Sequence, residues 1–172
     1  MTIPTSFGFE DETLSTRPTV YQSGLFDGKV VMVSGAGSGI GKAIAFLYAR
    51  LGAKLVICGR DTEKLETCAQ WLRQLGSPDV MVQQANIRDP EQVELLIDVA
   101  WVHFGRIDIL VNNAGASPGG RLLDLTEADW EKSLQLKFMG YVRCAKAVIP
   151  HMLRQGGGRI VNIVGNDGVK PL

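Results

Sequence analysis

The 172-residue sequence has the length of one ordinary domain, and with 45% hydrophobic residues it can bury a core of its own. Its 18 Lys and Arg balance 18 Asp and Glu, so no basic surface marks a nucleic-acid partner, and a small molecule or a protein is the expected partner. No apolar run approaches the ~20 residues that cross a bilayer, and the N-terminus lacks the basic start and apolar centre of a secretory signal, so no membrane partner and a cytoplasmic protein are expected.

Residues 1–24 are polar, carry two prolines and show neither helical nor strand periodicity, which predicts a flexible N-terminal extension ahead of one domain over 25–172. From Leu25 onward β-branched runs alternate with longer segments whose apolar residues recur every three or four positions. The runs KVVMVS, AKLVICG, VMVQQA, IDILVN and GRIVNIV read as five strands, the later four starting near Ala53, Val80, Ile107 and Gly158. Four helices lie between them. The first keeps Ile40, Ile44, Leu47 and Leu51 on one face and stops at Gly52. The second opens at Asp61 and closes at Gly76, and the third opens at Asp89-Pro90 with Gln92 behind the cap. The fourth starts at Thr126, where Asp129 completes a capping box, and runs toward Met152.

Strand, helix, strand without hairpin turns demands right-handed crossovers, which build a parallel sheet covered on both faces. The expected fold is α/β: a Rossmann-like, doubly wound, three-layer sheet of about five strands, one fewer than the six of a complete dinucleotide fold. Cys58, Cys68 and Cys144 lack metal or redox spacing and read as reduced, buried thiols, so no metal is expected. His103 and His151 each fall in the last turn of a helix, where a cation meets the carbonyl end of the dipole.

The stretch VSGAGSGIGKAIAF, 33–46, places Gly35, Gly37, Gly39 and Gly41 between the first strand and the first helix. An anion can lie on a helix N-terminus only where side chains do not keep it away, and glycine supplies the tight turn, the bare backbone and the close helix packing. No Lys-Ser or Lys-Thr closes the loop, which excludes a P-loop.

This stretch, together with NNAG at 112–115 after the fourth strand, resembles the short-chain dehydrogenase/reductase family from about Leu25 to Val164. The resemblance implies a cofactor site on Ser34, Gly35, Gly37, Ser38, Gly39, Ile40 and Gly41, with Asn113, Ala114 and Gly115 on the nicotinamide side. It also sets Asn86, with Ile87 beside it, where the family places an acid against adenine. At the end of the second strand, where an acid would bind the ribose hydroxyls, stands Gly59, followed by Arg60. A guanidinium there would clamp a 2′-phosphate, so NADP(H) is expected in preference to NAD(H), with Ser38 and Lys42 assisting. An ordinary surface arginine is the competing reading of Arg60, and Asp61 lies beside it.

The family's catalytic set is an Asn, a Ser and a Tyr-x-x-x-Lys pair. By position Lys137 stands for the Asn and Gly165 for the Ser, and the Tyr and Lys pair is absent from the sequence, so an incomplete domain is expected. Lys137 shares a helical stripe with Trp130, Leu134, Tyr141, Ala145 and Val148, where a lysine either acts on a substrate oxygen or water or reaches solvent along its stem. Asn166 and Asp167 are candidate replacements for the serine, and the loop around Ser117 is placed at the substrate edge. The resemblance implies an oxidoreductase moving hydride between NADP(H) and a carbonyl, an alcohol or an enoyl thioester. A nucleotide-binding or interaction protein without catalysis is the alternative. The apolar Phe138, Met139, Tyr141 and Val142 of the fourth helix imply a homo-oligomer paired through that helix.

Overall fold

The computed structural model describes residues 9–116 and 121–165. Five strands, β1 (Val30–Ser34), β2 (Lys54–Gly59), β3 (Val80–Gln84), β4 (Ile109–Asn112) and β5 (Arg159–Asn162), form one parallel sheet in the order β3-β2-β1-β4-β5. The connections are α2 (Gly39–Arg50), α3 (Thr62–Gln74), α4 (Pro90–Phe104) and a long helical segment made of α5 (Glu127–Ser133), a π-helical turn over Leu134–Phe138, and α6 (Met139–Arg154). This is the doubly wound Rossmann-like arrangement, and chain order reverses direction beside β1.

Every residue of β1 is buried, which is why its sequence reads as one continuous apolar run and not an alternation. Its side chains still divide by face. Val30 and Met32 join Leu96, Ile97, Cys144 and Val148 from α4 and α6, and Val31 and Val33 join Ala45, Phe46, Leu65 and Leu72 from α2 and α3. Asp61 caps α3 by accepting from Lys64 N at 3.1 Å, Asp89 caps α4, and Thr126 and Asp129 make a reciprocal capping box on α5. Burial keeps the three free cysteines protonated, with the thiols of Cys68 and Cys144 pushed up to about 12 and that of Cys58 raised as well.

The structure departs from the sequence reading in three places. The polar extension contains a six-residue helix, α1 (Asp11–Thr16), with no periodicity to announce it. Tertiary contacts hold it against α2: Asp11 pairs with Lys42, and Arg50 donates to the carbonyls of Leu14 at 3.0 Å and Arg17 at 2.7 Å. In α2 the face against the sheet is Gly41, Ala45, Phe46 and Ala49, while Ile40 is 65% exposed. Gly41, Ala45 and Ala49 let that helix approach the strands closely around Phe46, so the buried face is not the Ile40, Ile44, Leu47 and Leu51 stripe. Asp108, to which the sequence reading assigned nothing, ties β1 to β4. Its carboxylate accepts from Val30 N at 2.9 Å and from Arg106 Nε at 2.8 Å and Nη2 at 2.6 Å. Burial pushes this carboxyl up, but those hydrogen bonds outweigh burial and hold it below the usual carboxylate range. Among the described residues, β5 pairs only with β4, leaving Val161 and Val164 exposed on that edge, and no helix is long and apolar enough to cross a membrane.

Candidate functional site

A cleft of about 880 Å³ opens at the carboxyl ends of β1, β2, β3 and β4, where ligands bind in open α/β sheets. Its floor is the turn from β1 into α2. Gly35 and Gly39 have φ of +70° and +54°, left-handed values that favour glycine. A Cβ on Gly35 would stand 2.8 Å from Ala114 Cα, whereas one on Gly39 would meet nothing within 4 Å, so Gly39 presents bare backbone to open space. A Cβ on Gly41 would run into Gly35 O and Asn113 Nδ2, which fixes α2 against the loop. Ser38 takes the N-cap position of α2 with no side-chain bond to the helix, so the first-turn N–H groups are left uncapped beside the cleft. This is the arrangement that receives a phosphate.

The two glycine-bearing motifs are stapled together by side chains behind the cleft. Ser34 is buried and off the wall of the cleft: its hydroxyl accepts from Asn113 N at 3.0 Å and Ala114 N at 3.1 Å. Asn113 Nδ2 returns the contact, donating to the carbonyls of Ser34 at 3.0 Å and Gly35 at 3.3 Å. Asn112 is buried and donates to Asn162 Oδ1 at 2.9 Å, joining β4 to β5. These asparagines therefore satisfy strand-end backbone and set the loop's shape, while the backbone of Ala114 and Gly115 lines the cleft.

On one flank, Gly59, Arg60, Asp61 and Lys64 line the wall beyond β2. Arg60 is exposed, and its carbonyl accepts from Gln84 Nε2 at 3.0 Å. Asp61 is occupied by its cap and by an ion pair with Lys64 at 3.0 Å, and the hydrogen bonds from Lys64 hold its carboxyl below the usual range. Lys64 was missed by the sequence reading, although a cation in the first turn after an Asp cap is placed to face the strand end it follows. Lys42, expected to assist, is instead paired with Asp11 and absent from the lining. Asn86 and Ile87 close this flank. Asn86 Oδ1 accepts from Arg88 N at 3.2 Å, and its N–H donates to Gln92 Oε1 at 2.9 Å.

The other flank carries Lys137 and Gly165, brought together with Tyr141 and Ile163. Lys137 sits in the π-helical turn, whose i→i+5 spacing shifts the phase of the helix. The stripe expected from Trp130 to Val148 is broken there: Trp130 and Leu134 are 46% and 56% exposed, Tyr141 and Val148 are buried, and Lys137 is exposed to the cleft. Its stem crosses Gly115 so closely that a Cβ on that glycine would stand 2.8 Å from Lys137 Cε. Tyr141 donates its hydroxyl to Ile163 O at 3.2 Å, and burial raises its pKa above the ordinary value. Ser117, Asn166 and Asp167 lie outside the described residues.

Neither histidine reaches the cleft. His103 pairs with Asp79 at 2.9 Å, and His151 stacks on Trp101 with ring centroids 4.5 Å apart. Among the described residues no group of three His, Cys, Asp or Glu side chains comes together as a metal site.

The family model described as short chain dehydrogenase matches residues 29–172. An uncharacterized oxidoreductase of Staphylococcus aureus is 38% identical over 140 residues, which cover 81% of this chain and 59% of that protein. Two solved structures are similar in fold and sequence. A short chain dehydrogenase/reductase from Burkholderia phymatum in complex with NAD has a TM-score of 0.78 and 34% identity, over 86% of this chain and 53% of that one. A metagenomic short-chain oxidoreductase in complex with NADP has a TM-score of 0.80 and 30% identity, over 87% and 67% respectively. The chain thus spans about three fifths of the length of the staphylococcal relative.

Proposed function

The chain belongs to the short-chain dehydrogenase family, and from that premise we propose that its cleft binds NADP(H) in preference to NAD(H). We propose in the same way that the whole protein is an oxidoreductase acting on a carbonyl, an alcohol or an enoyl thioester. The supporting observation for the cofactor is the flank beyond β2, where Gly59 replaces the acid that would repel a 2′-phosphate and Arg60 and Lys64 bring cationic groups to the wall. The rest of the cleft fits a dinucleotide: uncapped N–H groups of α2 for the pyrophosphate, Asn86 and Ile87 for the adenine, Ala114 and Gly115 for the nicotinamide. When bound, the cofactor supplies the hydride. The protein orients it, and its glycines exclude side chains from its path.

A fluorescence titration of this chain with NADPH and, separately, NADH tests the reading. Saturable binding with NADPH at least tenfold tighter is expected, as one or two charge-assisted hydrogen bonds to a phosphate provide about 1.5–3 kcal/mol. Equal affinities would overturn the preference. Binding of neither would overturn the site.

A second reading, nucleotide binding without turnover, is supported by Lys137 and Gly165 standing where the family carries Asn and Ser. It predicts the same titration with no NADPH oxidation by any carbonyl or enoyl-thioester substrate.

For a partner we propose a second copy of this chain against the α5–α6 face. Trp130, Leu134, Phe138 and Leu153 are 46%, 56%, 62% and 74% exposed there, and Met139 lines the same groove. Tyr141, expected in that interface, is buried and donates its hydroxyl to Ile163 O. Light scattering is expected to show a dimer or larger species that Phe138→Glu reduces in mass. A monodisperse wild-type monomer at working concentration would sink the proposal.

A further inference from the structure

Building on the dinucleotide reading of the cleft, we propose that Lys137 makes this a site for an anionic substrate, specifically one whose apolar body carries a carboxylate. Lys137 lines the flank formed by Gly115, Gly165 and Ile163, and among the described lining residues the sole carboxylate is Asp61. Asp61 is already paired with Lys64 beyond β2, on the far side of the β1 loop. No ion pair among the described residues includes Lys137.

The neighbouring polar groups, the Tyr141 hydroxyl that donates to Ile163 O and the Asn113 amide that donates to the β1 loop, are neutral and bring no anion to it. A lysine that merely escaped to solvent would need no feature in the opposite wall. Here the stem lies against Gly115, where even a methyl group would meet Cε at 2.8 Å, so the absence of a side chain at 115 makes room for the lysine. Lys137 is carried on the π-helical turn and shares the cleft lining with the apolar Leu136, Ile163 and Val164, and with no carboxylate on its flank. A cation with an apolar surround and no protein anion selects a carboxylate over its neutral isostere.

The probes are 4-fluorobenzoate and 4-fluorobenzamide, nearly identical in shape and different in charge, titrated by fluorine NMR into this chain with and without NADP(H). Wild type is expected to bind the benzoate about fivefold tighter than the amide, the upper range for an ion pair open to water. Lys137→Gln is expected to erase that preference, Lys137→Arg to keep it, and 0.5 M salt to weaken the benzoate alone. Equal binding of the two probes, a preference that survives Lys137→Gln, or no benzoate binding at millimolar concentration would each overturn the proposal. NADPH titrations of the same variants report separately on the cofactor reading: wild type that fails to bind NADPH but discriminates the probes refutes the cofactor assignment and leaves the anion site standing.

Discussion

Gly41→Val is expected to abolish saturable NADPH binding and to lower thermal stability. A side chain at 41 must occupy space already filled by Gly35 O and Asn113 Nδ2, and a Cβ would also stand 2.9 Å from Gly35 C. None of these atoms is the free end of a flexible chain: two are backbone on the glycine turn, and the amide is held by two hydrogen bonds. Relief requires α2 to move off β1 or the β1 turn to shift, and either motion displaces the uncapped N–H groups from the position that receives a phosphate. Overpacking at a close contact costs about 3 kcal/mol. For a domain of this size that lowers the midpoint of thermal unfolding by roughly 6–12 °C. Gly59→Ala is the control for stability, because its Cβ would make only ordinary contact with Leu65 at 3.7 Å. Circular dichroism of Gly41→Val at low temperature separates a folded protein without a site from an unfolded one. Wild-type NADPH affinity in the folded variant would refute the role given to the turn.

Arg60→Ala is expected to weaken NADPH by about tenfold or more and to leave NADH within twofold of wild type, because in the proposed site the guanidinium would contact only a group that NADH lacks. Exposure of Arg60 sets the lower end of that range, since water competes for the same charge. Lys64 lines the same wall at the start of α3, so Lys64→Ala is expected to produce a smaller loss, and the double variant a loss that differs from the sum. The converse change is more stringent. Gly59→Asp has room against Leu65 and restores an acid at the ribose edge, so it is expected to reverse the preference toward NADH. Isothermal titration of both nucleotides into each variant decides the matter. Equal losses for NADPH and NADH in Arg60→Ala would show that the arginine supports the loop and not the phosphate.

The strands, the caps at Asp61, Asp89 and Thr126, and the glycine turn were legible in the sequence because each depends on residues close together in the chain, and the parallel direction followed from the alternation of strand and helix. A β-branched run flanked by glycines or caps needs only its own neighbours to declare itself, and a left-handed turn position declares itself by the glycine it requires. The family resemblance implies one site for Gly35, Gly39, Arg60, Asn86 and Gly115, and all five line the cleft.

What the tertiary structure alone decided depends on pairs far apart in sequence. The short helix α1 exists against Lys42 and Arg50, whose partners are 31 and 36 positions away for Asp11 and Leu14. Ser34 is buried behind the cleft and Asn113 on its wall, and the two form a staple between the motifs through hydrogen bonds to each other's loop. Lys42 could not be distinguished from Lys64 by spacing to the glycines, yet the first is drawn away by Asp11 and the second faces the site. The phase of the long helix was least legible of all. A single π-helical turn moves Trp130 and Leu134 to solvent, keeps Tyr141 and Val148 in the core, and carries Lys137 to Gly115, because one extra residue in a turn rotates everything beyond it.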